Sequence, residues 1–149
     1  MGILFSTGHA RENQTGRVMR AFPANILLVP RFQLLSYRCA IVLYLSILIF
    51  GSIPGARDDI GQYASGGVLH AVAYSILTLL LFSGSTGNRS ERAVKSVLTI
   101  MAMGAFDEYV QSFFPYRAAD VMDWMVDVIA GFISAAMLWA LWPRLIDSE

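Results

Sequence analysis

Apolar and polar positions divide the chain into four long apolar segments, separated by short connections that contain polar residues, glycine or proline. We expect transmembrane helices over about 35–53, 66–82, 93–114 and 122–142, since each segment has close to the roughly 20 residues that a helix needs to cross a bilayer. Pro54, Gly84, Pro115 and Pro143 follow these segments, where helices commonly end. The pattern predicts an all-α polytopic membrane protein, built as a four-helix transmembrane bundle with a short N-terminal arm.

Composition agrees with a membrane location. Of the 149 residues, 56% are hydrophobic and 15% are charged, whereas a soluble domain carries about 25% charged residues. Residues 1–34 are predicted to form a cytoplasmic or interfacial arm, and residues 35–145 a single transmembrane domain. Within the arm, Phe22–Leu34 is apolar but contains Pro23 and Pro30. We therefore expect this segment to lie along the membrane surface or to pack against a partner.

Lysine and arginine are distributed unevenly between the two sides of the predicted bundle. All 11 except Arg57 and Arg117 lie in the N-terminal region, the connection after the second span, or the C-terminus. Cytoplasmic segments carry the excess of positive residues. The distribution predicts a multi-pass protein of the inner (cytoplasmic) membrane with both termini in the cytoplasm.

Polar residues inside the apolar segments are the candidates for function. A charged side chain in the middle of a bilayer costs roughly 2.5–3.5 kcal/mol, so acidic residues at such positions are rare. Here they belong to three pairs with helical spacing, and each pair therefore shares one helix face. The pairs are His70 and Tyr74, Glu108 and Gln111, and Asp123 and Asp127.

Short connections make consecutive helices antiparallel neighbours, which places all three pairs at a similar depth near the outer leaflet. Gly131 continues the Asp123–Asp127 face and would allow close helix packing. We predict one polar cluster, or ligand-binding pocket, at this level. Its predicted members are His70, Tyr74, Asp107, Glu108, Gln111, Arg117, Asp120, Asp123 and Asp127.

These residues also have structural interpretations that stay open at this point. A single histidine such as His70 is more often a hydrogen-bonded packing residue than a ligand. Asp123 could be a solvated residue at a helix start, where acids are favoured. Glu108 could pair with Arg117 or accept a hydrogen bond from Tyr74, and the whole set could be a structural polar network between helices.

The order of these residues resembles the VanZ-like family, which is named for a small membrane protein associated with teicoplanin resistance. The resemblance covers about residues 43–141. This chain has Gly66-Gly67 where the family often has Asp-Lys before the histidine, and it has Asp127 where asparagine is usual. The matching pattern is His70-x-x-x-Tyr74-x-x-Leu77, Asp107-Glu108-x-x-Gln111-x-x-x-Pro115-x-Arg117 and Asp120-x-x-Asp123-x-x-x-Asp127-x-x-x-Gly131.

Three functions are compatible with this sequence. The first is a pocket near the outer leaflet that binds an envelope lipid or a glycopeptide-like ligand, to which the family's association with teicoplanin points. The second is a non-catalytic accessory subunit of a larger membrane complex, with membrane lipids and other membrane subunits as partners. The third is an acid–base or metal-dependent enzyme acting on a lipid, with Glu108, His70 and Asp127 as candidate catalytic residues. We favour a non-enzymatic role.

Other classes of site are not predicted. The arginines before the first span are spaced rather than clustered, so nucleic-acid binding is not expected. Cys39 is the single cysteine, which excludes an internal disulfide. No His-Glu-x-x-His motif or cysteine pair is present, and the sequence therefore predicts no metal site and no cofactor.

Overall fold

The computed structural model describes residues 29–54, 65–116 and 120–142. No strand occurs in these three ranges, which confirms the predicted all-α fold. Most of the predicted N-terminal arm, residues 1–28, and Arg117 of the predicted cluster lie outside the described residues. The helices are α1 (Pro30–Gly51), α2 (Gly66–Gly84), α3 (Arg89–Gln111) and α4 (Val121–Leu141).

Two helices begin earlier than the apolar pattern predicted. α1 starts at Pro30 rather than near residue 35, because a proline in the first turn of a helix sacrifices no intrahelical hydrogen bond. The predicted boundary at residue 34 therefore falls inside α1. α3 starts at Arg89 rather than near residue 93, because the Asn88 side chain accepts hydrogen bonds of 3.0 Å from the backbone N–H groups of Ser90 and Glu91.

α2 is the central helix of the bundle. It packs against all three other helices, and α4 packs against both α2 and α3. Helices α1 and α2 run antiparallel, since Gly84 at the end of α2 lies against the start of α1, where an added Cβ would be 2.8 Å from the backbone nitrogen of Tyr37. At the opposite end, the hydroxyl of Tyr116 donates to the carbonyl of Ser52 at 2.7 Å.

The two ends of the bundle differ in chemistry. We call the end formed by the starts of α2 and α4 and the end of α3 the polar end. At the other end, the buried guanidinium of Arg92 donates to the carbonyls of Gly87 at 2.8 Å and Phe82 at 3.3 Å, and it lies over the ring of Trp142. Arg92 therefore satisfies carbonyls at the C-terminal end of α2, where the helix dipole favours a positive charge.

Side chains are distributed as in a bundle surrounded by lipid. Large apolar side chains are exposed along the outside, and Leu141, Val121 and Phe113 are all at least 66% exposed. Polar side chains lie inside, where Asp127 is 0% and Asp107 1% exposed. Transmembrane helices pack through small and polar residues while their apolar side chains face lipid, so this distribution supports a membrane protein.

α3 differs from the other helices in composition. Among the described residues, α1, α2 and α4 are long and apolar enough to cross a membrane. α3 carries four charged residues in its first two turns and Asp107 and Glu108 near its end, whereas residues 96–106 between them are uncharged. Because it packs against α2 and α4, its buried polar groups can find partners within the bundle.

Candidate functional site

His70 joins α2 to α4 at the polar end. Its Nδ1 lies 3.0 Å from Oδ1 of Asp127, and its Nε2 lies 3.8 Å from Oδ2 of Asp123. An ionised carboxylate can only accept hydrogen bonds, so Nδ1 of His70 carries the proton that is donated to Asp127. In the neutral imidazole, Nε2 then carries the lone pair, on the side where Asp123 lies.

Glycines at the helix contacts make room for this arrangement. A Cβ on Gly104 of α3 would lie 3.1 Å from Oδ2 of Asp127 and 3.0 Å from Cδ1 of Trp124. A Cβ on Gly131 of α4 would lie 2.8 Å from Cγ2 of Ile100. Small residues thus let α3 and α4 approach closely enough for the Asp127 carboxylate to be enclosed between helices.

Tyr74 and Asp107 form a second contact deeper in the bundle. The hydroxyl of Tyr74 donates to Oδ2 of Asp107 at 3.3 Å, and both side chains are buried. The Tyr74 ring is nearly parallel to that of His70, with ring centres 6.0 Å apart. Tyr74 therefore binds Asp107, and the alternative that it donates to Glu108 is wrong.

Glu108 connects the end of α3 to the start of α4. Its Oε2 accepts a hydrogen bond of 2.7 Å from the backbone N–H of Asp120, while the carboxylate of Asp120 accepts one of 2.8 Å from the backbone N–H of Met122. Asp120 thus caps α4 with its side chain and holds Glu108 with its backbone. Glu108 is 9% exposed.

Two carboxylate oxygens of this cluster are buried without a hydrogen-bond partner among the described residues. They are Oε1 of Glu108 and Oδ2 of Asp127. Buried polar atoms are nearly always paired, and each exception calls for a water, an ion or a ligand. In addition, one ligand atom from each of His70, Glu108 and Asp123 can be chosen so that all three lie within 4.8 Å of one another. The arrangement can accept hydrogen bonds from a ligand or hold a cation.

The structure places most of the predicted cluster at one end. His70, Glu108, Asp123 and Asp127 come together there, with Asp107 and Tyr74 one layer deeper. Gln111 is buried at 3% exposure, close in sequence to Glu108. Their part in binding stays a prediction, as does any part of Arg117, which lies outside the described residues.

Sequence reasoning missed two contributors. Tyr44 of α1 donates from its hydroxyl to the carbonyl of Met103 at 2.9 Å, and it was not among the predicted polar residues. The sequence feature that could have indicated it is a tyrosine hydroxyl within an otherwise apolar segment. Gly104 was also missed, and its signal was its position one helical turn before Asp107 and Glu108.

One comparison with known proteins gives a match. No curated protein and no solved structure matches the chain significantly. The model of the VanZ/LLP1 family matches residues 3–142, a range that includes all four helices and every member of the predicted cluster. The resemblance noted in the sequence is thereby confirmed, and the chain belongs to the VanZ/LLP1 family of VanZ-like membrane proteins.

Proposed function

We propose that this VanZ-like membrane protein binds the polar part of an envelope lipid or glycopeptide-like ligand at its polar end, in the outer leaflet. One observation carries the proposal: Oε1 of Glu108 and Oδ2 of Asp127 are buried acceptors without a partner among the described residues. Leaving such groups unpaired costs about 1–3 kcal/mol each, and more for charged groups. A ligand that donates hydrogen bonds to both oxygens removes this cost.

The charges of the cluster define the kind of ligand group that fits. Four carboxyl groups, those of Asp107, Glu108, Asp123 and Asp127, surround the imidazole of His70. Carboxylates accept hydrogen bonds and attract positive charge, but they repel anions. Hydroxyl, amide N–H and ammonium groups are therefore the expected partners, and sugars, amino-acid headgroups and peptides supply them.

An apolar groove next to the cluster suits the lipid part of such a ligand. The groove lies between α2 and α4, has a volume of about 300 Å³, and begins at Ala71 and Val126, the neighbours of His70 and Asp127 in the chain. Ile129 and Ile133 line it and are each more than half exposed. An acyl chain lying in this groove would end near the level of His70 and Asp127, where its headgroup would meet the cluster.

The side of the membrane follows from charge. The polar end lies opposite the end where Arg89, Arg92 and Lys95 begin α3. If the basic residues are cytoplasmic, as the positive-inside rule predicts, the cluster opens toward the outer leaflet. Envelope lipids and glycopeptide-like molecules are both accessible at that surface.

The experiment compares two glutamine substitutions on the same helix. Glu108→Gln removes the charge at the cluster, whereas Glu91→Gln makes the same change at an exposed position at the opposite end of α3. Wild type and both variants are purified in mild detergent, incubated with extracted envelope lipids, and examined by native mass spectrometry. In parallel, cells with equal protein levels are tested for growth in teicoplanin.

The proposal expects specific losses in only one variant. Glu108→Gln should retain less lipid than wild type or support less growth in teicoplanin, and Glu91→Gln should behave as wild type. If Glu108→Gln retains both at normal expression, the binding role of the cluster is wrong. An equal loss in both variants would assign the effect to the stability of α3 instead.

A further inference from the structure

We propose that His70, Glu108 and Asp123 form a binding site for a divalent transition-metal cation, with Zn²⁺ as the first candidate. The site shares its side chains with the proposed ligand pocket, so its role in that pocket rests on the proposed function. Cation binding itself can be measured without any lipid. No metal-binding sequence motif indicates this site, because its three residues come from three different helices.

The distances between the ligand atoms are close to those that a metal imposes. One atom from each of the three side chains lies within 4.8 Å of the other two. A tetrahedral Zn²⁺ ion with ligands at 2.0–2.2 Å holds them roughly 3.3–3.6 Å apart. Nε2 of His70 and Oδ2 of Asp123 are already 3.8 Å apart. Rotation of the side chains that closes the widest pair by about 1 Å therefore completes the site.

His70 is oriented as metal-binding histidines are. Its Nδ1 donates to the buried carboxylate of Asp127 at 3.0 Å, which leaves the lone pair of Nε2 available. Carboxylate–histidine–metal arrangements of this kind fix the tautomer and raise the basicity of the ligand. The distance from Nε2 to Oδ2 of Asp123, 3.8 Å, is too long for a hydrogen bond but suits two atoms that share a cation.

Glu108 supplies the independent observation that points to a ligand. The residue is 9% exposed, and its Oε1 is buried without a hydrogen-bond partner among the described residues. Its Oε2 is held by the backbone N–H of Asp120 at 2.7 Å, so the carboxylate has a fixed orientation. A buried carboxylate with one oxygen anchored and the other unpaired is arranged to bind a cation rather than to face solvent.

The ligand set selects the class of metal. One imidazole nitrogen with two carboxylates suits Zn²⁺ or Mn²⁺ better than Ca²⁺, which takes six to eight oxygen ligands. Three protein ligands leave a fourth position for water or for an oxygen atom of a bound headgroup, as in open zinc sites. The cation would also offset the negative charge that Asp107 and Asp127 add to the cluster.

The test measures metal binding by the full chain in detergent, in a background that lacks two other potential soft ligands. His9→Ala and Cys39→Ser remove the second histidine and the single cysteine. The metal-free protein is titrated with ZnCl₂ by calorimetry, and bound zinc is measured after gel filtration. The ligand variants are His70→Gln, Glu108→Gln and Asp123→Asn, with Glu91→Gln as the matched control at the opposite end of α3.

We expect the background protein and the control to bind one Zn²⁺ per chain with equal affinity. Each ligand variant should bind at least about 100-fold more weakly, and Asp127→Asn roughly 10–100-fold more weakly, since supporting carboxylates have effects of that size. Asp123→Asn is the decisive variant, because Asp123 lies in the first turn of α4 and its change leaves the His70–Asp127 contact intact. Helicity and elution volume establish that each variant is folded.

Two results would overturn the proposal: a background protein that binds no Zn²⁺, or a folded Asp123→Asn variant that binds it with unchanged affinity. Lipid retention after chelation separates this proposal from the proposed function. Lipid that remains bound to a protein with no zinc affinity removes the metal site but keeps the ligand pocket. Zinc bound tightly by a protein that retains no lipid removes the pocket and keeps the metal site.

Discussion

His70 and Asp127 connect two helices through a 3.0 Å contact in which the carboxylate is fully buried. Removing the imidazole leaves that carboxylate without its donor, which typically costs 3–5 kcal/mol for a buried charge. We expect His70→Ala to lower the free energy of unfolding by about 3 kcal/mol. This value is at the lower end of that range because an unpaired carboxyl group can become protonated and so lose its charge. Unfolding by SDS titration, followed by tryptophan fluorescence, measures the change.

Asp127→Asn is the comparison for this prediction. The amide keeps an oxygen that can accept from Nδ1 of His70, so a loss of only about 1 kcal/mol is expected. A larger loss in Asp127→Asn than in His70→Ala would show that the charge itself, rather than the hydrogen bond, stabilises the contact.

Close packing between α3 and α4 makes Gly131 sensitive to a single added methyl group. Alanine usually favours a helix over glycine by about 1 kcal/mol. At Gly131, however, the new Cβ would lie 2.8 Å from Cγ2 of Ile100, and we expect Gly131→Ala to destabilise the bundle by about 1–3 kcal/mol. Gly67→Ala is the control, since among the described residues no neighbouring group lies within 4 Å of a Cβ at that position. In thermal unfolding measured in one detergent, only Gly131→Ala should have a lower midpoint temperature than wild type. Equal midpoints for the two variants would refute the close contact.

Arg92 stabilises the end of the bundle opposite the cluster. Its guanidinium is 2% exposed and donates to the carbonyls of Gly87 and Phe82. Arg92→Met removes these donors, and we expect a loss of about 2–3 kcal/mol from two charged hydrogen bonds in a buried place. Lys95→Met removes one exposed contact to the carbonyl of Thr86 and should cost less than about 1 kcal/mol. The urea or SDS midpoints of the two variants test this order, and similar losses would contradict it.

Thiol labelling tests the predicted orientation in the membrane. In a Cys39→Ser background, cysteine is introduced at Tyr116, exposed at the polar end, or at Thr86, exposed in the α2–α3 turn. A membrane-impermeant maleimide added to intact cells should label Tyr116→Cys, whereas Thr86→Cys should react only after permeabilisation. The reverse pattern would place the polar cluster at the cytoplasmic surface and remove the outer-leaflet part of the proposed function.

Much of this architecture could be predicted because bilayer insertion imposes simple rules on sequence. Apolar length and proline positions located the helices, and the antiparallel order placed His70 and Asp127 at one end. Partners were harder to predict, because hydrogen bonds depend on helix rotation. The rotation of α3 about its axis determines that Asp107, rather than the adjacent Glu108, accepts the hydrogen bond from Tyr74. Helix starts also depended on local capping by Asn88 and on Pro30, which an apolar pattern does not register.

The contact of Arg92 with the last carbonyls of α2 has a consequence for biogenesis. α3 is charged at both ends, so it is poorly suited to leave the translocon by itself. Arg92 reaches the carbonyl of Phe82 only when α2 already lies beside α3, and only the four residues 85–88 separate the two helices. We therefore expect these two helices to enter the bilayer together as a hairpin, with the guanidinium joining them as the nascent chain partitions into lipid.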